Sequence, residues 1–277
     1  MKKKFINLAI AAALLSGSAV GHSATLNTGS ADGTLADFGG FDWHANGASW
    51  IQGFGLTSNS NINDTTNFTL TYQAFAGVID TTSPVQNLFV ASPGSAFGTY
   101  EVTTYQTLNE TATCLNVGCS SINITTNSGV WDIYLDNTPN ANQAAGTGFL
   151  DGINILSGVW NVSNNSFTLN PDGTARGAAV LDGTVTYTNN AVVNPNLLGT
   201  QFQGTLLLPG LSNYTRPAEF NGISTGVDTP AIGDTPGHFV LQTDGSQSFT
   251  QQVPEPGMLA LLGIGILGFG FARRTRT

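Results

Sequence analysis

The sequence predicts an all-β fold, an antiparallel β-sandwich or jelly-roll-like single domain, flanked by an N-terminal signal helix and a C-terminal apolar helix. Three observations carry that expectation. Short segments alternate apolar and polar residues at period two, as half-buried strands do. Asp-Gly and Asn-Asn pairs fall between them, where turns are needed. Almost nothing follows the helical period, and no fixed longer repeat suggests a solenoid or a propeller.

Taken in order, Phe68-Thr-Leu70-Thr-Tyr72-Gln-Ala74 is the clearest alternation, with Phe68, Leu70, Tyr72 and Ala74 on one face. Val130 to Leu135, Ile153 to Ile155, Val159 to Val162, Phe167 to Leu169, Val185 to Tyr187 and Phe239 to Leu241 are further short runs. They are rich in β-branched and aromatic residues, which pack well on a pleated surface. Asp32, Asp151, Asp172, Asp182 and Asp244 each precede a glycine, and Asn164-Asn165 and Asn189-Asn190 add turn signals. One short helix is predicted from Pro139 to Ala145, capped by Thr138 and stopped by Gly146. Ser224 to Gly237 reads as a long surface loop, and Gln242 to Gln252 as a final strand and linker.

Ahead of these strands, Lys2, Lys3 and Lys4 precede an apolar run from Phe5 to Leu15. That is the pattern of a secretory signal peptide, assigned to residues 1–24, with cleavage expected between Gly21 and Ala24. The β domain then spans 25–250 and a separate tail spans 251–277. Within the domain Arg176 and Arg216 are the only basic residues, so a chain of formal charge −9 becomes more negative once its ends are removed. Nucleic acid is excluded as a partner, because phosphate contacts need clustered Lys or Arg. Only 9% of the chain is charged, so much of the surface must be Asn, Thr, Ser, Gln and Gly. Cys114 and Cys119 are close enough in sequence for one disulfide closing a small loop in an oxidising compartment. Zinc wants four ligands, and no other Cys or nearby His completes a set.

Beyond the domain the chain changes character. Pro254-Glu255-Pro256 follows Val253 and cannot sit inside a helix, since proline lacks the amide donor and pushes its predecessor into extended geometry. Residues 257–272 carry no charge, and Arg273, Arg274 and Arg276 follow. At about 1.5 Å per residue this run reaches roughly 24 Å, short of a hydrocarbon core of roughly 30 Å. It reads as a membrane stop with its basic end in the cytoplasm, held transiently in the inner membrane. Val253-Pro254-Glu255-Pro256, the apolar run and Arg273-Arg274 together resemble the PEP-CTERM sorting signal of Gram-negative bacteria. The resemblance implies cutting by an exosortase at or near Pro-Glu-Pro, and release to the outer surface or the extracellular polysaccharide matrix. The same tail also carries a label that mentions ice-binding proteins, which says where it was noticed and not what it does. Asp136 to Asn140, Gly148 to Gly152, Thr215 to Pro217 and His238 to Asp244 resemble the flocculation-associated PEP-CTERM proteins. That resemblance implies a non-enzymatic role in aggregating cells within extracellular polysaccharide.

Candidate chemistry within the domain is sparse. Asp42, His44 and Ser49 lie close in sequence as members of a nucleophilic triad, yet no Gly-x-Ser-x-Gly elbow exposes a serine. Glu101, Glu110 and Glu219, with the aspartates, are the carboxylates available for the pair that glycoside hydrolysis needs. Asn61 to Asp64, Asp132 to Asn142 and Asp151 to Asn154 offer hard oxygen ligands for one structural calcium, without EF-hand spacing. Trp131 and Trp160 fall in strand-like runs and are expected in the core. Trp43 and Trp50 flank a glycine-rich segment and are the candidates for stacking on sugar rings. Ice binding would require a flat, regular array of threonines, and Thr69-Thr71 and Thr186-Thr188 read as isolated pairs.

The expectation is an exported, exosortase-sorted surface or matrix protein with no catalytic residues and no cofactor, supporting cell aggregation, floc or biofilm formation. Its partners are signal peptidase and exosortase during export, and extracellular polysaccharide afterwards. The alternatives are a carbohydrate-binding module acting through Trp43 or Trp50, and a secreted hydrolase with convergent carboxylates.

Overall fold

Alternation at period two runs much further along the chain than the short predicted segments. The computed structural model describes residues 24–29, 33–80, 86–87, 100–143, 146–169, 175–208 and 237–250. The strands are β1 (Ala24–Asn27), β2 (Thr34–Phe38), β3 (Gly40–Phe54), β4 (Thr65–Asp80), β5 (Gln86–Asn87), β6 (Glu101–Cys114), β7 (Ser121–Asp136), β8 (Ile153–Trp160), β9 (Ser163–Leu169), β10 (Ala175–Thr188), β11 (Val193–Asn194), β12 (Gln201–Leu208) and β13 (Gly237–Thr250). They belong to one compact unit, Ser23–Gln251. Every predicted strand lies within one of them except the end of Val159 to Val162, where β8 stops at Trp160. The predicted signal helix, the apolar tail and nearly all of the Ser224 to Gly237 loop lie outside the described residues.

All pairings are antiparallel, and they close on themselves. β3, β4, β6, β7, β8, β10, β12 and β13 pair in chain order, β13 returns to pair with β3, and β10 pairs directly with β12. β9 continues the line of β8, since both pair with β7 on one side and β10 on the other. The result is a meandering barrel of eight strand positions, a sheet packed against itself. It lacks the crossed connections of a jelly roll, because each long strand finds its sequence neighbour. Closure also removes the free edges that invite strand addition.

The barrel is filled by large aromatic rings lying over glycines on facing strands. In one interior row the direct cross-strand neighbours are Ser49, Tyr72, Gln106, Trp131, Gly158 and Val185. In the next they are Leu70, Leu108, Gly129, Trp160, Gly183, Phe202 and Phe249. A Cβ at Gly158 would run into the Trp131 ring, one at Gly204 into Trp160, and one at Gly183 would stand 2.5 Å from Phe202. Trp131 meets Phe202 edge-on at 4.5 Å between centroids, and Trp160 meets Phe202 at 4.9 Å. Trp131 and Trp160 are buried, as their strand-like settings predict.

That packing explains why two predicted turns are strand interior. Asp182-Gly183 lies within β10 and Asp244-Gly245 within β13. Their glycines face inward, where Phe202 and the Tyr72 hydroxyl take the space a side chain would occupy. Asn164-Asn165 is also strand, and the Asn165 amide bonds both the N–H and the carbonyl of Val180 where the ladder with β10 is interrupted. Asn189-Asn190 does turn the chain, with Val192 N–H reaching the Asn189 carbonyl.

Two additions cover the barrel. A second sheet, β11-β1-β2, contributes Leu26, Leu35, Phe38 and Val193 to the same core, and Phe38 meets Phe249 of β13 at 5.4 Å. Outside β4 and β6, the segment after β7 docks through Phe149 and Ala141 on Phe75. The predicted helix from Pro139 to Ala145 falls here, and residues 139–143 are not helical. The amides of Asn140 and Ala141 go instead to the Glu101 carboxylate, and a bridge between Asn142 and Thr147 turns the chain back.

Cys114 and Cys119 form the expected disulfide across the β6–β7 hairpin. Loop-closure entropy assigns such a short loop about 2 kcal/mol. Replacing both cysteines by serine should lower stability by about that amount in urea unfolding, with the barrel otherwise intact.

Candidate functional site

Strand alternation sends each predicted residue to a definite side of the barrel. Trp43 and Trp50 were the candidates for sugar stacking, and both are buried, at 2% and 4% exposure. Trp43 points inward, stacks on Phe41 at 5.0 Å, and donates its indole N–H to Gln247 Oε1 at 3.0 Å. Neither indole presents a face to a glycan. Of the glycines around them, Gly47 makes room for the Tyr72 ring, and Gly40 lies against the backbone of Gln247.

The residues imagined as a triad are separated by the sheet itself. Asp42 and His44 flank inward-facing Trp43 and so lie on the outer face. There burial, followed by the charge of Asp244, raises the Asp42 pKa. Burial lowers the pKa of His44, against the opposing pull of Asp244, and its ring lies 4.7 Å from that of Phe75. Ser49 faces inward, fully buried, and its hydroxyl accepts the Thr243 hydroxyl at 2.7 Å.

Glu101 and Glu110 are nine positions apart on β6, an odd interval that puts them on opposite faces. Glu101, outside, accepts Asn140 N–H at 2.7 Å and Ala141 N–H at 3.0 Å, and so anchors the docked segment. Burial pushes its pKa up to about 7 against those hydrogen bonds, with Asp136 and Asp151 adding to the rise. Asn140 also donates its side-chain amide to Asp151 Oδ2 at 2.8 Å. Glu110, inside, is buried with one hydrogen bond, from the Thr126 hydroxyl at 2.9 Å. Burial again pushes its pKa up to about 7, and the Thr126 bond only partly opposes this. Glu219 lies outside the described residues.

Because the folded state holds the Glu110 proton more tightly than the unfolded chain, its contribution to stability is full at acid pH and is lost as pH rises through about 7. Glu110→Gln should therefore be more stable than the parent at pH 8, by on the order of 3 kcal/mol, with little or no gain at pH 4. Thermal melts at the two pH values measure this, and equal shifts at both would refute it.

The loops considered for calcium are held by their own hydrogen bonds. Asp64 Oδ2 accepts Asn61 N–H at 2.6 Å, and Asp132 Oδ1 accepts both the Ser157 hydroxyl and the Asn154 amide. Among the described residues, no group of three or more His, Cys, Asp or Glu side chains is placed to hold a metal ion.

A feature that single strands do not show emerges on the outer face of β4, β6, β7 and β9. Thr65, Thr113, Asn123 and Ser166 are cross-strand neighbours, as are Asn67, Thr111, Thr125 and Asn164. Thr69, which looked isolated, continues the array beside Asn109 and Ser128. Thr111 donates to Asn67 at 2.7 Å, Asn127 to Thr111 at 2.8 Å and Thr125 to Asn164 at 2.6 Å. These rows carry no charge and no large apolar group.

The predicted sorting residues Val253, Pro254, Glu255, Pro256, Arg273 and Arg274 lie outside the described residues, beginning three positions after β13 ends. Residues 252–274 match the family model described as the PEP-CTERM protein-sorting motif. The chain therefore carries a signal of the kind that directs export, exosortase processing and sorting to the cell surface. No curated protein and no solved structure matches it.

Proposed function

We propose that this chain is a non-enzymatic surface or matrix protein, delivered by exosortase processing, that supports cell aggregation, floc or biofilm formation through extracellular polysaccharide. The observation that carries the reading is the sorting motif at 252–274, placed directly after the strand that closes the barrel. Two further features favour it. Asp42 and His44 lie on the outer face and Ser49 on the inner one, and Glu101 and Glu110 likewise point to opposite faces of β6. The hydroxyl and amide rows on β4, β6, β7 and β9 offer a neutral hydrogen-bonding surface to a hydroxylated polymer, in place of the buried Trp43 and Trp50.

A deletion strain tests the reading. It should aggregate poorly, and the parent gene should restore aggregation. Thr111→Lys and Thr125→Lys together put charge in the middle of the rows and should restore it only weakly, although the protein reaches the surface. Normal aggregation in the deletion strain would sink the proposal.

A further inference from the structure

Beyond the hydroxyl and amide rows, the outer wall changes character within two steps along the strands. β6 and β7 carry Asn109 and Ser128 in the last of those rows, then Thr107 and Val130, and then Tyr105 and Asp132. Across β8 and β10 this third row continues through Ser157 and Tyr187. Gln106, Trp131 and Gly158 face inward, so their neighbours Tyr105, Asp132 and Ser157 face out, and Tyr187 stands beside Ser157. Tyr187 is 46% exposed, Val130 52% and Val159 37%, while Tyr105, Asp132 and Ser157 are half-buried. The row is open to solvent.

Its centre is a fixed polar network. Asp132 Oδ1 accepts the Ser157 hydroxyl and, at 3.0 Å, the Asn154 amide, whose nitrogen also lies 2.9 Å from Ser157 Oγ. Oδ1 is thus doubly used, and no described residue bonds Oδ2. Tyr134 lies two positions further along β7 on the same face. Burial and then the charge of Asp132 raise its pKa, a hydrogen bond with Asn154 opposes the rise, and Tyr105 adds a little to it, so its hydroxyl belongs to the same group.

This combination selects its partner. Tyrosine rings and valines offer apolar surface, while the carboxylate among them needs donors. A purely apolar protein face would bury the Asp132 charge without a partner, which is costly. An added strand finds no edge, because the ladder is closed. An anionic polymer would meet Asp132 with no base in the row, since Arg176 and Arg216 are the only ones in the domain. A neutral pyranose has what is missing: a C–H face for a tyrosine ring and hydroxyls that donate to Oδ2. The outside of a barrel is convex and cannot enclose a free sugar, so the partner is a chain that crosses the row and meets its side chains in succession.

We propose that the outer wall around Asp132 is a contact site for a neutral pyranose polymer, which stacks on Tyr105 and Tyr187 and hydrogen-bonds to Asp132, Ser157 and Asn154. This rests on the reading of extracellular polysaccharide as the partner, and adds the place and the kind of sugar it meets. The test titrates the full chain, purified in a detergent without a sugar headgroup, with cellohexaose and with hexagalacturonate in a calorimeter. Saturable binding of the first and none of the second is expected. Tyr187→Ala, at an exposed position, and Asp132→Asn, which keeps the shape, should each weaken cellohexaose binding at least about tenfold with the far-ultraviolet circular dichroism unchanged. Thr111→Lys should bind as the parent does. No saturable binding of cellohexaose, equal binding of hexagalacturonate, or parental affinity in both Tyr187→Ala and Asp132→Asn would overturn the proposal. Those failures leave the functional reading to its own test, and normal aggregation of the deletion strain would sink that reading alone if cellohexaose still binds here.

Discussion

Valine in place of Gly158 is expected to cost about 3 kcal/mol or more, which is a large share of the net stability of a domain. A Cβ there would run into the Trp131 ring on one side and stand 2.5 Å from the Thr184 carbonyl on the other. Neither can give way. Thr184 is fixed by the β8–β10 ladder, and Trp131 is held by Phe202 and Trp160. Trp131→Ala alone should cost roughly 3–5 kcal/mol by opening a cavity. The double variant Gly158→Val with Trp131→Ala should cost clearly less than the sum of the single changes, because each relieves the defect of the other. Urea unfolding of the three variants reads this out, and additive losses would show that ring and glycine are not coupled.

Loss of the Pro-Glu-Pro motif should have an equally large effect on delivery and none on folding. Glu255→Ala lies five residues beyond Thr250, the last residue of β13, so the closed ladder does not depend on it. The variant should show the circular dichroism and unfolding midpoint of the parent, while its surface fraction drops to background and the full-length tail stays in the membrane fraction. Intact mass and fractionation of parent and variant decide the matter. If the parent keeps its tail in the inner membrane, the segment is a permanent anchor and the sorting reading fails.

Much of the fold was legible because alternation at period two is a local property. Phe68 to Ala74 and Val130 to Leu135 each announce a strand without knowledge of its neighbours. Boundaries and closure were not legible, because they depend on partners distant in the chain. Phe239 to Leu241 is a fragment of a fourteen-residue strand whose remaining positions include Gly245, Gln247 and an Asp-Gly pair, and these look like loop until the facing rings are known. For the same reason Trp43 and Trp50 appeared open to solvent: adjacent glycines read as flexible chain, whereas here they lie within β3, Gly40 against the backbone of Gln247 and Gly47 under the Tyr72 ring. The outer rows were invisible because Asn67, Thr111, Thr125 and Asn164 meet only through register. The inward course of Glu110 followed from nothing more than its parity on β6, once the face of Leu108 was known.

The order of the strands has a consequence for quality control. Among the described residues β13 is both the last strand and the one that seals the ladder between β12 and β3, and the sorting motif begins almost at once after it. A ribosome that stops before β13 is complete therefore releases a product lacking the seal and the address together. No truncated chain can be dispatched in a half-built state. Conversely, every chain that presents the address has already been given the residues it needs to finish folding, so the motif serves as a certificate of completeness as well as a destination.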